Sequence, residues 1–182
     1  VYDATQTAST TLSSDELAGD VLTLAYSSAL FSDAHVGNAK PILVSGISIT
    51  GGADAGNYVL ATTTATTTAN ITARPITVTA QADTKVYDAA TSSLATPTIT
   101  AGTLVGSDTA QFVQTFDTKD VGTGKTLTAS GAVQDGNGGN NYAITFVPDT
   151  TGSISWRSIA IIGGSRRSSA SRRAGGTRRR SA

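Results

Sequence analysis

Val86-Tyr87-Asp88-Ala89 repeats Val1-Tyr2-Asp3-Ala4, and the rest of the chain follows suit. Leu17-Ala18-Gly19 returns as Leu104-Val105-Gly106, and Val36-Gly37-Asn38-Ala39-Lys40 returns as Val121-Gly122-Thr123-Gly124-Lys125. Gly46 matches Gly131, Asn57-Tyr58 matches Asn141-Tyr142, and Ile71-Thr72 matches Ile154-Ser155. The offset stays between 83 and 87 residues, as in a tandem duplication of one domain. The expected organisation is a first copy over residues 1–72, a second over 73–156, and an Arg/Ser/Gly-rich tail over 157–182. Repeated modules supply length, valency or spacing, and catalysis seldom needs one module twice in a row.

Composition points to β structure. There are 31 Thr, one Glu and four Lys, so strand formers abound while helix formers other than Ala and Leu are scarce. Each copy is small and would bury only roughly 60–65% of its unfolded surface. Neither Cys nor Met occurs, so no disulfide reinforces the cores and the easily oxidised side chains are missing, which suits an extracellular setting. The net charge of zero hides an asymmetry. Residues 1–156 carry five bases and 13 acids, a balance of −8, whereas residues 157–182 carry eight Arg and no acid. The chain opens in mid-motif without a signal peptide, so it reads as a fragment. Its longest apolar run near the end, residues 159–162, is far too short to span a bilayer, and membrane insertion is not expected.

In the second copy Pro75-Ile76-Thr77-Val78-Thr79-Ala80 alternates apolar and polar residues, as a half-buried strand does. Lys125-Thr126-Leu127-Thr128-Ala129 is a strand entered from a glycine turn. Residues 142–147 and 152–155, separated by Pro148-Asp149, read as a closing hairpin. Phe112 and Phe116 share a face at i and i+4. In the first copy, residues 42–44 and 47–49 are strands, residues 58–60 pair with 69–71, and the threonine run 62–68 is the hairpin tip between them. The first copy has no counterpart of the strand at residues 76–80. Ile71-Thr72-Ala73-Arg74-Pro75-Ile76 passes from one copy to the next with two or three free residues, stiffened by Pro75, so a restricted angle between copies is expected.

Taken together, Ile-Thr-Ala-Arg-Pro-Ile-Thr-Val-Thr-Ala at 71–80, Lys85-Val86-Tyr87-Asp88, Leu104-Val105-Gly106-Ser107-Asp108, Val121-Gly122-Thr123-Gly124-Lys125, Asn141-Tyr142 and a final Ile-Ser resemble the YDG/MBG repeats. Such repeats stand in tandem in filamentous-haemagglutinin-like bacterial adhesins. The resemblance covers residues 1–156. It implies secretion to the cell surface of a Gram-negative bacterium, by a two-partner or autotransporter-like route, and a stalk or display role without catalysis. It implies no cofactor and no ligand site. One departure stands out: Ala4 and Ala89 occupy the place of the usual glycine after Tyr-Asp, which costs energy if the backbone there has positive φ.

The polar residues that repeat are therefore signature positions of structural character: Tyr2, Asp3, Gly37, Lys40, Asn57 and Tyr58 in the first copy, and Tyr87, Asp88, Gly122, Lys125, Asn141 and Tyr142 in the second. The recurring tyrosines are expected to bury their rings and bond their hydroxyls to backbone. His35, the single histidine, faces Asp120 in the alignment, so no histidine role repeats and it reads as a turn residue beside Asp33. Asp135-Gly136-Asn137-Gly138-Gly139-Asn140 is oxygen-rich but has neither EF-hand nor nonapeptide calcium spacing, and it reads as a flexible, exposed turn. Gly122-Thr123-Gly124-Lys125 lacks the leading glycine and the strand-to-helix setting of a phosphate loop. Lys40 with Asn57 and Lys125 with Asn141 are candidates for a covalent Lys–Asn amide, with Asp54 or Asp135 as the assisting acid. The Arg-rich tail cannot bury enough surface to fold, and it reads as a frameshifted or truncated end without specific nucleic-acid binding.

The expected fold is mainly β: two tandem immunoglobulin-like sandwiches in an extended array. A β-grasp-like sheet with a short helix near residues 111–116 is the alternative. The expected role is a structural stalk of a secreted surface adhesin whose partners are neighbouring repeats. A binding module reading a host or microbial glycan or protein through its glycine turns is the alternative.

Overall fold

Alternation of apolar and Thr-rich polar positions builds nearly everything in the computed structural model, which describes residues 1–163. In the first copy the strands are β1 (Thr23–Ala25), β2 (Ser28–Phe31), β3 (Gly37–Ser45), β4 (Ser48–Gly51) and β5 (Thr64–Ile71), with a single 3-10 turn at Ala55–Asn57. In the second they are β6 (Arg74–Thr79), β7 (Thr84–Val86), β8 (Thr98–Ala101), β9 (Thr109–Phe116), β10 (Gly122–Gln134), β11 (Tyr142–Val147) and β12 (Asp149–Ser155). The chain is thus mainly β. No helix forms at residues 111–116. Phe112, Gln114 and Phe116 are all buried on one face of β9, and the i and i+4 spacing of the two Phe is two steps of a period-2 strand.

The second copy has two sheets, β7-β12-β10-β9 and β11-β6-β8. One buried cluster takes residues from both: Ile76 and Val78 of β6 join Phe112, Phe116, Leu127, Ala129, Val133 and Ile154. The expected closing hairpin is absent. β11 pairs in parallel with β6, from Tyr142 opposite Arg74 to Val147 opposite Thr79. β12 lies in the other sheet, antiparallel to β10 and parallel to β7. Pro148, which has no N–H to continue a ladder, sits where the chain changes sheet.

The first copy is built from β2-β3-β5 and the β1-β4 pair. Residues 58–60, the counterpart of β11, form no strand, and β5 pairs with β3 instead. The threonine run is consequently β strand from Thr64 onward, with exposed Thr side chains, and not a hairpin tip. The first copy's own buried cluster holds only Ala29, Ile42, Val44 and Ile47. Ile71 and Tyr2 belong to the larger core of the second copy.

Equivalent backbone bonds fix the correspondence between copies. Phe31 N–H donates to Gln6 O (2.8 Å) as Phe116 N–H does to Thr91 O (2.8 Å). Tyr2 N–H donates to Thr72 O as Tyr87 N–H does to Ser155 O, both at 2.9 Å. One alignment shifts: the turn closed by Asp20 N–H on Leu17 O matches that closed by Asp108 N–H on Val105 O, so Leu17 corresponds to Val105 and not to Leu104.

Ala4 and Ala89 have φ of 65° and 67°, the left-handed region that favours glycine. In each turn the preceding Asp accepts the N–H two residues on: Thr5 to Asp3 Oδ1 at 2.8 Å and Ala90 to Asp88 Oδ1 at 3.0 Å. Ala89 is exposed, so Ala89→Gly should relieve the strain without losing packing. The expected gain is about 0.5–1 kcal/mol, the left-handed penalty less the extra unfolded-state entropy of glycine. Ala4→Gly should gain less, because its methyl packs at the edge of the core. Urea denaturation of both variants would show the order.

Candidate functional site

The densest set of buried polar side chains lies where the copies meet. Asp135 is 5% exposed at the end of β10. Its Oδ1 accepts the N–H groups of Asn137 and Gly139, and its Oδ2 accepts that of Asn141, all at 2.8 Å. Burial pushes its carboxyl upward, but these N–H donors outweigh burial and hold it below the usual Asp value. The glycine-rich turn is therefore wound around a buried carboxylate and is not an open hairpin. Gly136, Gly138 and Gly139 supply the positive φ that the winding needs.

The wound turn presents Asn141, which is fully buried. Asn141 Oδ1 accepts from Val36 N–H of the first copy (3.0 Å) and from Asn137 Nδ2 (2.9 Å). With its oxygen engaged, Asn141 directs Nδ2 at His35 Nδ1, 3.2 Å away, and that ring nitrogen is assigned as the acceptor. His35 is thus a junction residue, and a single sequence gave no sign of it because its partner lies 106 positions away.

Tyr142 follows and meets Tyr2 edge to face, with ring centroids 5.6 Å apart and planes at 78°. Both hydroxyls donate to Asp108 Oδ2, Tyr2 at 3.0 Å and Tyr142 at 2.7 Å. The Tyr142 oxygen also accepts Val105 N–H at 3.0 Å. Burial, with the Asp108 carboxylate beside it, pushes the Tyr142 hydroxyl up to about 12 and raises that of Tyr2 too. Arg74 closes the site: its N–H donates to Asn141 O (2.9 Å), its Nε to Thr103 O (2.9 Å), its Nη2 to Thr103 Oγ1 (3.0 Å) and its Nη1 to Tyr2 O (3.4 Å).

The other signature residues are local supports. Asp3 and Asp88 shape the left-handed turns. Gly37 lies beneath the Lys40 stem: a Cβ there would stand 3.2 Å from Lys40 Cδ. Lys40 Nζ pairs with Asp33. Gly122 lies likewise under Lys125, whose Nζ bonds Thr118 and lies 3.9 Å from Asp117. The Gly-x-x-Lys motif is thus a lysine folded over a glycine toward an acid. Neither lysine is paired with an asparagine, so the covalent Lys–Asn arrangement is not assembled: Asn141 faces Asp135 and His35, and Asn57 is exposed. Tyr58 repeats the Tyr142 pattern, donating to Asp20 Oδ2 (2.5 Å) and accepting Leu17 N–H (3.1 Å). Tyr87 is half-buried at the far end of the second copy. Among the described residues no cluster of His, Asp or Glu is set to hold a metal, and no helix is long and apolar enough to cross a membrane. The Arg pairs of the tail from residue 166 on lie outside the described residues.

A family model, the YDG domain, matches the chain in two pieces, residues 1–67 and 72–152. Comparison with curated proteins and with solved structures finds no significant match.

Proposed function

The chain belongs to the YDG domain family, and from that premise we propose that it is a pair of structural spacer links in a secreted bacterial surface adhesin. The observation that carries this reading is the junction. The signature residues with the most buried hydrogen bonds, Tyr2, Asn141 and Tyr142, fix one copy against the next. They converge on no open cleft, and a spacer needs a defined angle more than a pocket. The glycine turn at residues 136–140, which a ligand-binding reading would require to be free, is wound around Asp135 and carries the junction residue Asn141. We read each repeat as a two-layered β unit, supported by the two sheets that share a core in the second copy.

Small-angle scattering at low concentration tests this. The expected particle is elongated, with a pair-distance profile of two joined lobes that does not broaden with temperature below unfolding. Side-by-side lobes, or lobes free to swivel, would reject the spacer reading.

A further inference from the structure

The segment between β2 and β3 of the first copy is held by the second. Ala34 and Val36 pack against the second copy's core, and His35 stands half-buried between them. Its ring faces the wound turn. Nδ1 lies 3.2 Å from Asn141 Nδ2, and a Cβ on Gly136 would stand 3.9 Å from the ring's Cε1.

The Asn141 amide is not free to turn over. Its oxygen accepts Val36 N–H and Asn137 Nδ2, and its Nδ2 also donates to Asp135 O at 3.3 Å. Reversal would set its NH2 against two donors. The polarity of the contact is therefore fixed from the Asn141 side, and His35 Nδ1 has to be the bare nitrogen of a neutral ring. A second proton on the ring goes to that nitrogen. Two N–H groups then confront each other, or the ring swings away, and either way the bond is lost. The Val36 N–H bond to Asn141, which ties the copies one residue further on, shares the displacement.

The charged neighbours do not replace that bond. Asp33 and Lys40, on the ring's own segment, are paired with each other, and Asp33 Oδ1 also takes the His35 backbone N–H. Asp135, across the boundary, has its two oxygens filled by three N–H groups. Their attraction favours charging the ring without restoring the contact that charging removes. Farther along the junction, Arg74 is turned to Thr103 and Tyr2 O, and Asp108 to the hydroxyls of Tyr2 and Tyr142.

We propose that His35 is a proton-operated latch on the link between the copies. Neutral, it completes the hydrogen bonding of Asn141 and holds the link; protonated, it releases Asn141 and loosens the link. This rests on reading the junction as a structural link and adds a regulator to it. Histidine ordinarily changes charge between about pH 5 and 8. Asp33 and Asp135, held low by their donors, stay charged over that interval.

Nuclear magnetic resonance of the full chain from pH 8 to 5 tests the latch, because a single histidine gives one unambiguous imidazole signal. At pH 8 the bare ring nitrogen should be Nδ1. As the ring charges, the Val36 N–H and Asn141 Nδ2 signals should shift with the same midpoint. The exchange protection of Val36 N–H should fall about three- to tenfold, while that of Leu127 and Val133 in the core stays put. His35→Asn keeps a carbonyl oxygen near the place of Nδ1 and has no proton to gain, so its Val36 should stay protected throughout. His35→Lys, a fixed cation, should show the weakened protection throughout. A bare Nε2 at pH 8, or Val36 and Asn141 signals that ignore the ring's titration, overturns the proposal. If they ignore it while scattering shows one elongated particle with fixed lobes, the spacer reading stands and only the latch falls.

Discussion

Asp135→Asn is expected to destabilise the second copy by about 2–4 kcal/mol, the cost of at least one lost hydrogen bond, of weakening the others by removing the buried charge, and of two buried donors left facing each other. The carboxylate accepts three N–H groups with two oxygens. An amide keeps one oxygen and turns its NH2 against an N–H donor, leaving both unsatisfied in a site that is 5% exposed. Asn141 would lose its seat, so the junction should loosen along with the turn. The wild-type pH dependence has a definite sign. The folded-state pKa lies below the ordinary value of 3.8. The stabilisation is therefore complete above pH 4 or so and is lost as the pH falls through the folded value. Asp83, held low by Ser93 Oγ and Leu94 N–H, acts in the same direction. Urea denaturation at pH 7 and between pH 4 and 2 would show both effects. The variant should lose less on acidification than the wild type, and an equal acid response in both would show that Asp135 is not a principal source.

Tyr2→Ala is expected to cost about 2–4 kcal/mol, through the loss of a buried aromatic side chain and its hydroxyl bond. The location of the loss is the sharper point. Tyr2 stands at the start of the first copy, but its ring packs on Tyr142 and its hydroxyl bonds Asp108. Amide exchange should therefore quicken at Val105 and residues 141–144 of the second copy. The equivalent change in the second copy, Tyr87→Ala, should cost less, because Tyr87 is only half-buried and, among the described residues, no aromatic ring meets it as Tyr142 meets Tyr2. Alkali offers a second readout. A tyrosine raised to about 12 contributes stability that is present below pH 10 and lost as the pH rises through 12. In Tyr2→Ala the Tyr142 ring is uncovered and should ionise nearer 10 in a spectrophotometric titration. Exchange confined to the first copy would show that the tyrosine pair does not couple the two.

Local pattern made part of this legible. The duplication, the β class and the burial of Ile76, Val78 and Ala80 follow from identities and alternation. The positive φ at Ala4 and Ala89 was readable from the glycine they replace. The parallel pairings were not, because β11 finds β6 and β12 finds β7 across some 70 residues, and no local periodicity encodes such a match. β5 was hidden for a different reason. Its threonines have strand propensity but no apolar alternation, and Thr64–Thr68 are exposed. Asp135 looked exposed because glycines and asparagines surround it in sequence. Its burial comes from backbone N–H groups that only the wound turn brings together. The tyrosines were expected to bond to backbone. Their hydroxyls accept backbone N–H groups at Val105 and Leu17, and they donate to Asp108 and Asp20.

β6 begins at the junction, beside Asn141, and runs alongside β11 toward the far end, where β12 finishes at Ser155 next to Gly122. A pull along the polypeptide therefore enters the second copy at one end and leaves at the other. The β6–β11 rungs then lie crosswise to the tension and share it as shear, whereas a hairpin gripped at adjacent ends would unzip one rung at a time. The segment linking the copies has no slack to take up first. Stretching would thus have to break several rungs together before the second copy yields.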